Sequence, residues 1–248
     1  MILYIHTALL PSAPIIMIVA PETIHPALWR ASSLGRGATR CLASGHAHLD
    51  TELPGGGWPV GTLVDLLTPH AGVGEVRLLL PALTFLGARP IFFVSPPHSP
   101  SMQALANWGV PTGGLHLVEP QTLADALWST EQILRAGIAG AVLFWQPQVR
   151  SEALRRLHLA AQTSETAFFM IRPLNAANLA SPSPLRLRLE PAPDGVSVFF
   201  LKRRGPARDE PLFVPLYPSP FASKRHAPVD RRTSPLPLPR SVSADLDA

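Results

Sequence analysis

The residues with the clearest potential for chemistry are glycines. Gly55-Gly56-Gly57-Trp58-Pro59-Val60-Gly61 leads into an apolar run, and Thr68-Pro69-His70-Ala71-Gly72-Val73-Gly74-Glu75 follows that run. A glycine-bearing turn between a strand and a helix N-terminus is an anion site in outline, because free backbone N–H groups and the helix dipole point into it. A working phosphate loop also needs a lysine for the β- and γ-phosphates and a Ser or Thr hydroxyl for magnesium. Gly74-Glu75 or Glu75-Val76 stands in those places, and a carboxylate there repels a triphosphate. No lysine precedes Lys202, so no neighbour supplies the missing ammonium. The run Val142-Leu143-Phe144 should end in an acid that holds metal or polarises water, but Trp145-Gln146 follow it. The expectation is a vestigial loop at Thr68, Pro69, Gly72, Gly74 and Glu75, with no cofactor bound, no catalytic residue and no enzymatic activity.

Other constellations are weaker. His46 and His48 flank Ala47 next to Asp50, but no third and fourth ligand accompany them, so no metal site is expected. Ser95-Pro96-Pro97-His98 lacks the glycine-flanked elbow of a nucleophile. Trp108, Trp128 and Trp145 fall on or beside core elements and read as packing residues. Arg150, Arg155 and Arg156 form a basic edge on one helix, either solvated or docking an acidic partner. Arg172 follows a strand, where an exposed loop is expected. Lys202-Arg203-Arg204 end an apolar strand at a sheet edge, where they would block aggregation or contact phosphates.

These residues need elements to position them. Twelve basic and 12 acidic residues precede Lys202, whereas 9 basic and 5 acidic ones lie from Lys202 onward, so the net charge of +4 belongs to the C-terminal stretch. Such a tail attracts nucleic acid or an acidic protein surface, or stays solvated. The chain has 248 residues, 46% hydrophobic and 15% charged, which suits one sizeable core. Its 29 prolines crowd the two ends. Cys41 is the only cysteine, which excludes an internal disulfide and fits a reducing cytoplasm. The apolar stretch Met1–Ala20 lacks a basic n-region and is broken by Pro11 and Pro14, so neither a secretory signal nor a membrane span is expected. Met17 is an alternative start; otherwise the stretch is a short docking segment.

Three regions follow: residues 1–25 as an irregular extension, 26–204 as the folded domain, and 205–248 as a basic, Pro-rich disordered tail. A helix is predicted near Pro26–Leu34. Strands are predicted at Thr62–Leu67, Pro90–Val94, Leu115–Val118, Ala139–Trp145 and Ala167–Ile171. Helices are predicted at Glu75–Leu86, Ser101–Trp108, Thr122–Ala136 and Ser151–Gln162, with Thr122 and Ser151 as caps and Leu123, Ala126, Leu127, Ile133 and Leu134 as the third helix's apolar stripe. Strands alternating with helices argue for a mostly parallel sheet covered on both faces. Leu185–Leu189 alternates strictly and Val196–Leu201 follows across Asp194-Gly195, which predicts a C-terminal antiparallel hairpin with one wet face.

With these segments placed, the chain resembles RecA, and more closely the ImuA family of RecA-like accessory proteins of bacterial mutagenic translesion synthesis. The resemblance spans about residues 26–206. It is carried by Leu28-Trp29-Arg30, by Ser44-Gly45 with Leu49-Asp50 and Leu53-Pro54-Gly55-Gly56-Gly57-Trp58-Pro59, and by Gly72-Val73-Gly74-Glu75-Val76-Arg77-Leu78-Leu79-Leu80-Pro81-Ala82-Leu83. Asp125-Ala126-Leu127-Trp128, Leu154–Ala161 and Leu201-Lys202-Arg203-Arg204-Gly205 add to it. The SulA family of cell-division inhibitors is similar to the same central part. The resemblance implies a RecA-like, P-loop-type α/β core without nucleotide chemistry, induced by DNA damage. It implies partners such as RecA, or ImuB with an error-prone DnaE-type polymerase, with weak DNA contact through the tail and no membrane. The SulA alternative implies binding of the division protein FtsZ. In RecA, cations after a late strand reach a neighbouring subunit, and Lys202-Arg203-Arg204 follow a comparable strand.

Overall fold

The computed structural model describes residues 40–216; the predicted helix at Pro26–Leu34 and the two termini lie outside the described residues. Ten strands and five α-helices follow in order: β1 (Cys41–Leu42), α1 (Ala47–Glu52), β2 (Trp58–Pro59), β3 (Thr62–Thr68), α2 (Glu75–Thr84), β4 (Ile91–Val94), α3 (Met102–Asn107), β5 (Leu115–Val118), α4 (Leu123–Ala136), β6 (Ala141–Trp145), α5 (Ser151–Gln162), β7 (Ala167–Pro173), β8 (Leu185–Ala192), β9 (Gly195–Lys202) and β10 (Leu212–Pro215). Eight of the strands form one mixed sheet in the order β10-β9-β8-β3-β7-β6-β4-β5, while β1 and β2 pair separately. From β8 through β5 every neighbour is parallel. Strands β8, β9 and β10 form an antiparallel meander at the other side.

Burial on both faces explains why the parallel strands read as unbroken apolar runs. All seven residues of β3 are buried. Val64 and Leu66 join one core with α2 residues Leu78, Leu79 and Leu83, whereas Leu63 joins a second core with α4 and α5 residues Ala126, Leu134, Leu154 and Leu157. Each wholly buried leucine contributes roughly 1.5–3 kcal/mol relative to an exposed one.

The elements depart from the sequence expectations at specific points. Thr122 does cap α4, accepting from the Asp125 amide, but Arg150 and not Ser151 holds the N-cap position of α5, with no side-chain cap bond. The inward face of α4 carries Ala126, Thr130, Glu131 and Leu134, while Leu123 is 44% and Trp128 62% exposed. Helix α4 lies against α5 and Glu131 turns inward to meet Arg156, while Leu127 and Ile133 pack against the same core that buries Ala126 and Leu134, so of the predicted stripe only Leu123 departs. The alternating L-R-L-R-L strand has no simple wet face, since Arg186 is buried and Arg188 lies 3.9 Å over the Phe199 ring. Finally, the sheet does not stop at Arg204. Leu212–Pro215 pairs antiparallel with β9 and forms the outer strand, so the first residues assigned to a disordered tail belong to the fold. Proline hid this strand, yet an edge strand tolerates proline because one side of its backbone needs no partner.

Candidate functional site

The carboxyl ends of the parallel strands gather the loop Thr68–Gly74, the Ser95-Pro96-Pro97 turn after β4 and Trp145-Gln146 after β6. Crevices outside these ends are where open α/β sheets bind ligands. Strand β3 carries the loop, and β7 alone separates it from β6. The positions after β3 and after β6 therefore share one edge of the sheet.

Loop and helix meet at Gly74, the N-cap of α2, whose φ is 111°. A Cβ there would meet only a terminal Leu216 methyl at 2.7 Å, which can shift, so it is the backbone shape that calls for glycine. Thr68 is buried, whereas Pro69, His70 and Gly72 are exposed. Glu75 is the first residue of the helix, and its side chain is not directed into solvent. Its Oε1 accepts from the Gly72 amide at 3.0 Å and its Oε2 from the Gly74 amide at 3.2 Å. The residue is only 3% exposed. The loop's anion-directed amides are thus satisfied by a carboxylate of the same chain, which also sits favourably at the positive end of the helix dipole.

Beside the loop lies a cavity of about 380 Å³. Phe93, Pro96, Pro97, Trp108 and Trp145 line it together with Glu75. Phe93 and Trp145 pack edge to face at 5.5 Å. Trp145 is buried as predicted, and its indole Nε1 has no hydrogen-bond partner among the described residues.

The other glycine run is not part of this site. Gly55–Gly57 precede β3, at the opposite edge of the sheet from the loop. They turn the chain into β2, where Trp58 is wholly buried and meets Phe169 edge to face at 5.4 Å.

The candidate cations separate. Arg203 donates to the Glu52 carboxylate at 2.7 Å and carbonyl at 2.8 Å, and lies 4.7 Å over the Phe200 ring. It is an internal clamp, not an available charge, and burial against Glu52 is the reason. Lys202 and Arg204 are exposed, with Lys202 Nζ 3.4 Å from the Ser181 carbonyl. Strand β10 pairs with β9 only from Gly195 to Val198, so the Lys202 end of β9 is partnered by β8 alone and keeps an open outer side. Of the helix trio, Arg156 is bound to Glu131 of α4, Arg155 is exposed, and Arg150 stands on the wall of a largely apolar groove with Leu123, Leu127, Val149 and Leu179. Arg150 lies at the loop edge of the sheet, and the Lys202–Arg204 segment heads toward the other edge. The structure does not bring the two groups together.

Arg172 corrects a further expectation. It belongs to β7 and its side chain is wholly buried, 3.6 Å from Asp65 in an ion pair. Burial pushes its guanidinium below the usual arginine range, while Asp65 opposes that shift. Asp65 Oδ2 also accepts from Arg186 Nε at 3.1 Å, and Arg186 donates to the carbonyls of Ala176 and Ala177. Sequence reasoning missed this cluster, although single charges inside two apolar runs were its signal. His46 contacts the Leu78 carbonyl at 3.2 Å. Among the described residues no group of three or more His, Cys, Asp or Glu is placed to hold a metal ion, and no helix is long and apolar enough to cross a membrane.

No protein-family model matches the chain. Over 109 residues it is 30% identical to a cell division inhibitor SulA of Edwardsiella piscicida, covering 43% of this chain and 64% of that protein. Over 107 residues it is 31% identical to a cell division inhibitor SulA of Photorhabdus laumondii, covering 42% of this chain and 60% of that protein. The chain therefore spans less than two thirds of the length of these curated relatives, and it is similar to SulA proteins in under half of its own length.

Proposed function

We propose that this chain is a non-catalytic, partner-binding protein of the bacterial DNA-damage response, built on a RecA-like core whose phosphate loop is closed from within. The observation that carries this reading is Glu75, whose carboxylate takes the amides of Gly72 and Gly74 that a nucleotide phosphate would use. The lysine-free core and Trp145-Gln146 at the end of β6 support it independently. Without nucleotide turnover, function resides in surfaces: the groove beside Arg150, the exposed Arg155, and the Lys202 and Arg204 side chains.

In its first form the protein serves mutagenic translesion synthesis by binding RecA or an ImuB assembly with a DnaE-type polymerase. The motifs quoted from residues 26–206 and the sequence outside the SulA match support this form. In its second form it is a division inhibitor that binds FtsZ, and the similarity to two SulA proteins favours that form. One experiment separates them. Purified full-length protein is immobilised and offered RecA, ImuB and FtsZ in parallel, and a fluorescent ATP analogue is titrated alongside. Retention of RecA or ImuB supports the first form, and retention of FtsZ the second. Retention of none, or micromolar binding of the analogue, overturns the reading.

A further inference from the structure

A groove of about 820 Å³ opens where the loop after β6 and the segment after β7 meet the first turns of α4 and α5. Its walls are apolar: Leu123 and Leu127 come from α4, Pro147 and Val149 from the loop, and Leu179 from the segment. Residues four apart share one helix face, so Leu123 stands with Leu127, and Ala124, which also lines the groove, stands with Trp128. Leu123 is 44%, Leu179 52% and Trp128 62% exposed. A single exposed leucine is ordinary, whereas several large apolar side chains around one concavity mark a docking surface.

The charge on the walls says what fits. Among the described residues Arg150 is the one charged side chain that lines the groove, and no carboxylate does. Glu152, in the first turn of α5, accepts from the Ser151 hydroxyl at 3.2 Å and lies off the groove wall. Arg150 also holds the N-cap position of α5 without a side-chain cap bond, so the positive end of that helix dipole adds to the guanidinium. An apolar trough with one cation complements an apolar segment that carries one carboxylate. The backbone of that segment needs hydrogen bonds as well. The groove is built at the ends of β6 and β7, which are inner strands, whereas the outer strands are β10 and β5. An extended segment finds no open strand edge here, but a helix brings its own hydrogen bonds.

We infer that this groove is the docking site for an acidic amphipathic helix of a partner protein, its apolar stripe seated between Leu123, Leu127, Val149 and Leu179 and its Asp or Glu on Arg150. The inference rests on the reading that the protein works by holding partners, and it names the chemistry of the segment held. Apolar residues at i, i+3 or i+4, and i+7 are what such a trough reads, while the charge pair fixes the register of the helix.

Full-length protein is immobilised and panned against a displayed library of randomised helical peptides of about 16 residues, long enough for four turns. The selected peptides should carry apolar residues at i, i+3 or i+4, and i+7, with an Asp or Glu on the same side. Their affinity should fall about tenfold or more when Leu123→Ser and Leu179→Ser are combined. It should not change with Leu159→Ser, which removes an exposed leucine of α5 outside the groove. Arg150→Glu should weaken them severalfold, and a selected peptide with its carboxylate changed to lysine should regain affinity for that variant. Both groove leucines stand partly in solvent, so their loss leaves the fold in place, and circular dichroism of each variant verifies it. Selection of basic or proline-rich peptides, indifference to the leucine pair, or no enrichment over bare resin overturns the site. Indifference to Arg150→Glu overturns the acidic partner. The library holds neither RecA, ImuB nor FtsZ, so failure here is distinct from failure to retain those proteins.

Discussion

The turn ahead of β3 and the turn behind it are both built on glycine, yet glycine serves a different end in each. Ahead of the strand, a Cβ on Gly57 would stand 2.5 Å from the Leu42 carbonyl oxygen, so the missing side chain lets two backbones touch. The adjacent Trp58 then fills the space against Phe169. Behind the strand, Gly72 and Gly74 expose amides, and what approaches them is the Glu75 carboxylate of the chain itself. One turn is a packing joint and the other is an anion cradle with a resident anion. Glycine content alone does not distinguish them; the neighbouring residue does.

The largest effect is expected at the packing joint. Trp58→Ala removes a wholly buried ring from the larger core and should cost about 3–5 kcal/mol in urea denaturation. Trp58→Phe should cost clearly less, because the edge contact with Phe169 is kept in part. A loss below about 1 kcal/mol for the alanine variant would remove the contrast drawn between the two turns.

At the cradle the effect is smaller and of a different kind. Glu75→Ala leaves the Gly72 and Gly74 amides without their partner, and should cost about 1–3 kcal/mol. The variant should regain stability with sulfate at constant ionic strength, while the parent protein stays indifferent, because only the vacated cradle takes an external anion. Thermal melts in sulfate against chloride read this directly. Equal responses of the two proteins would show that the carboxylate does not occupy the anion position.

Much of the parallel half was legible because its strands are unbroken apolar runs ended by glycine or proline, as in β4 and its Ser95-Pro96-Pro97 terminus. That no lysine precedes Lys202 and that Glu75 opens the helix was equally legible, since both are residue identities. What Glu75 does was not, because a carboxylate in a helix's first turn points to solvent as readily as to a loop. Partners remote in sequence hid the rest. Arg203 meets Glu52 across 151 positions and Arg186 meets Asp65 across 121, so cations that read as surface charges are internal. The outer strand β10 was masked by Pro211 and Pro215, which at an edge cost little.

The seam between the two regions carries the smallest prediction. His46 precedes α1, on the side of the packing joint, and its Nε2 contacts the Leu78 carbonyl of α2, the helix that follows the cradle. Burial pushes its pKa below the ordinary 6.5, with the Leu78 carbonyl and Asp50 opposing that shift. A base whose folded pKa is depressed binds a proton more readily when unfolded. Its stabilisation is therefore complete above the unfolded pKa, near 6.5, and is lost as pH falls from there through the folded value. The urea midpoint should stay flat above about pH 7 and fall progressively toward pH 5. His46→Gln keeps an N–H for the Leu78 carbonyl and removes the titration, so it should flatten part of that fall. The remaining slope belongs to His158, whose pKa is also lowered, by burial first and by Lys202 second. Adding His158→Gln should remove it. An unchanged slope in the His46 variant would show that the seam is not held by a neutral imidazole, and the two turns would then be coupled through the apolar core alone.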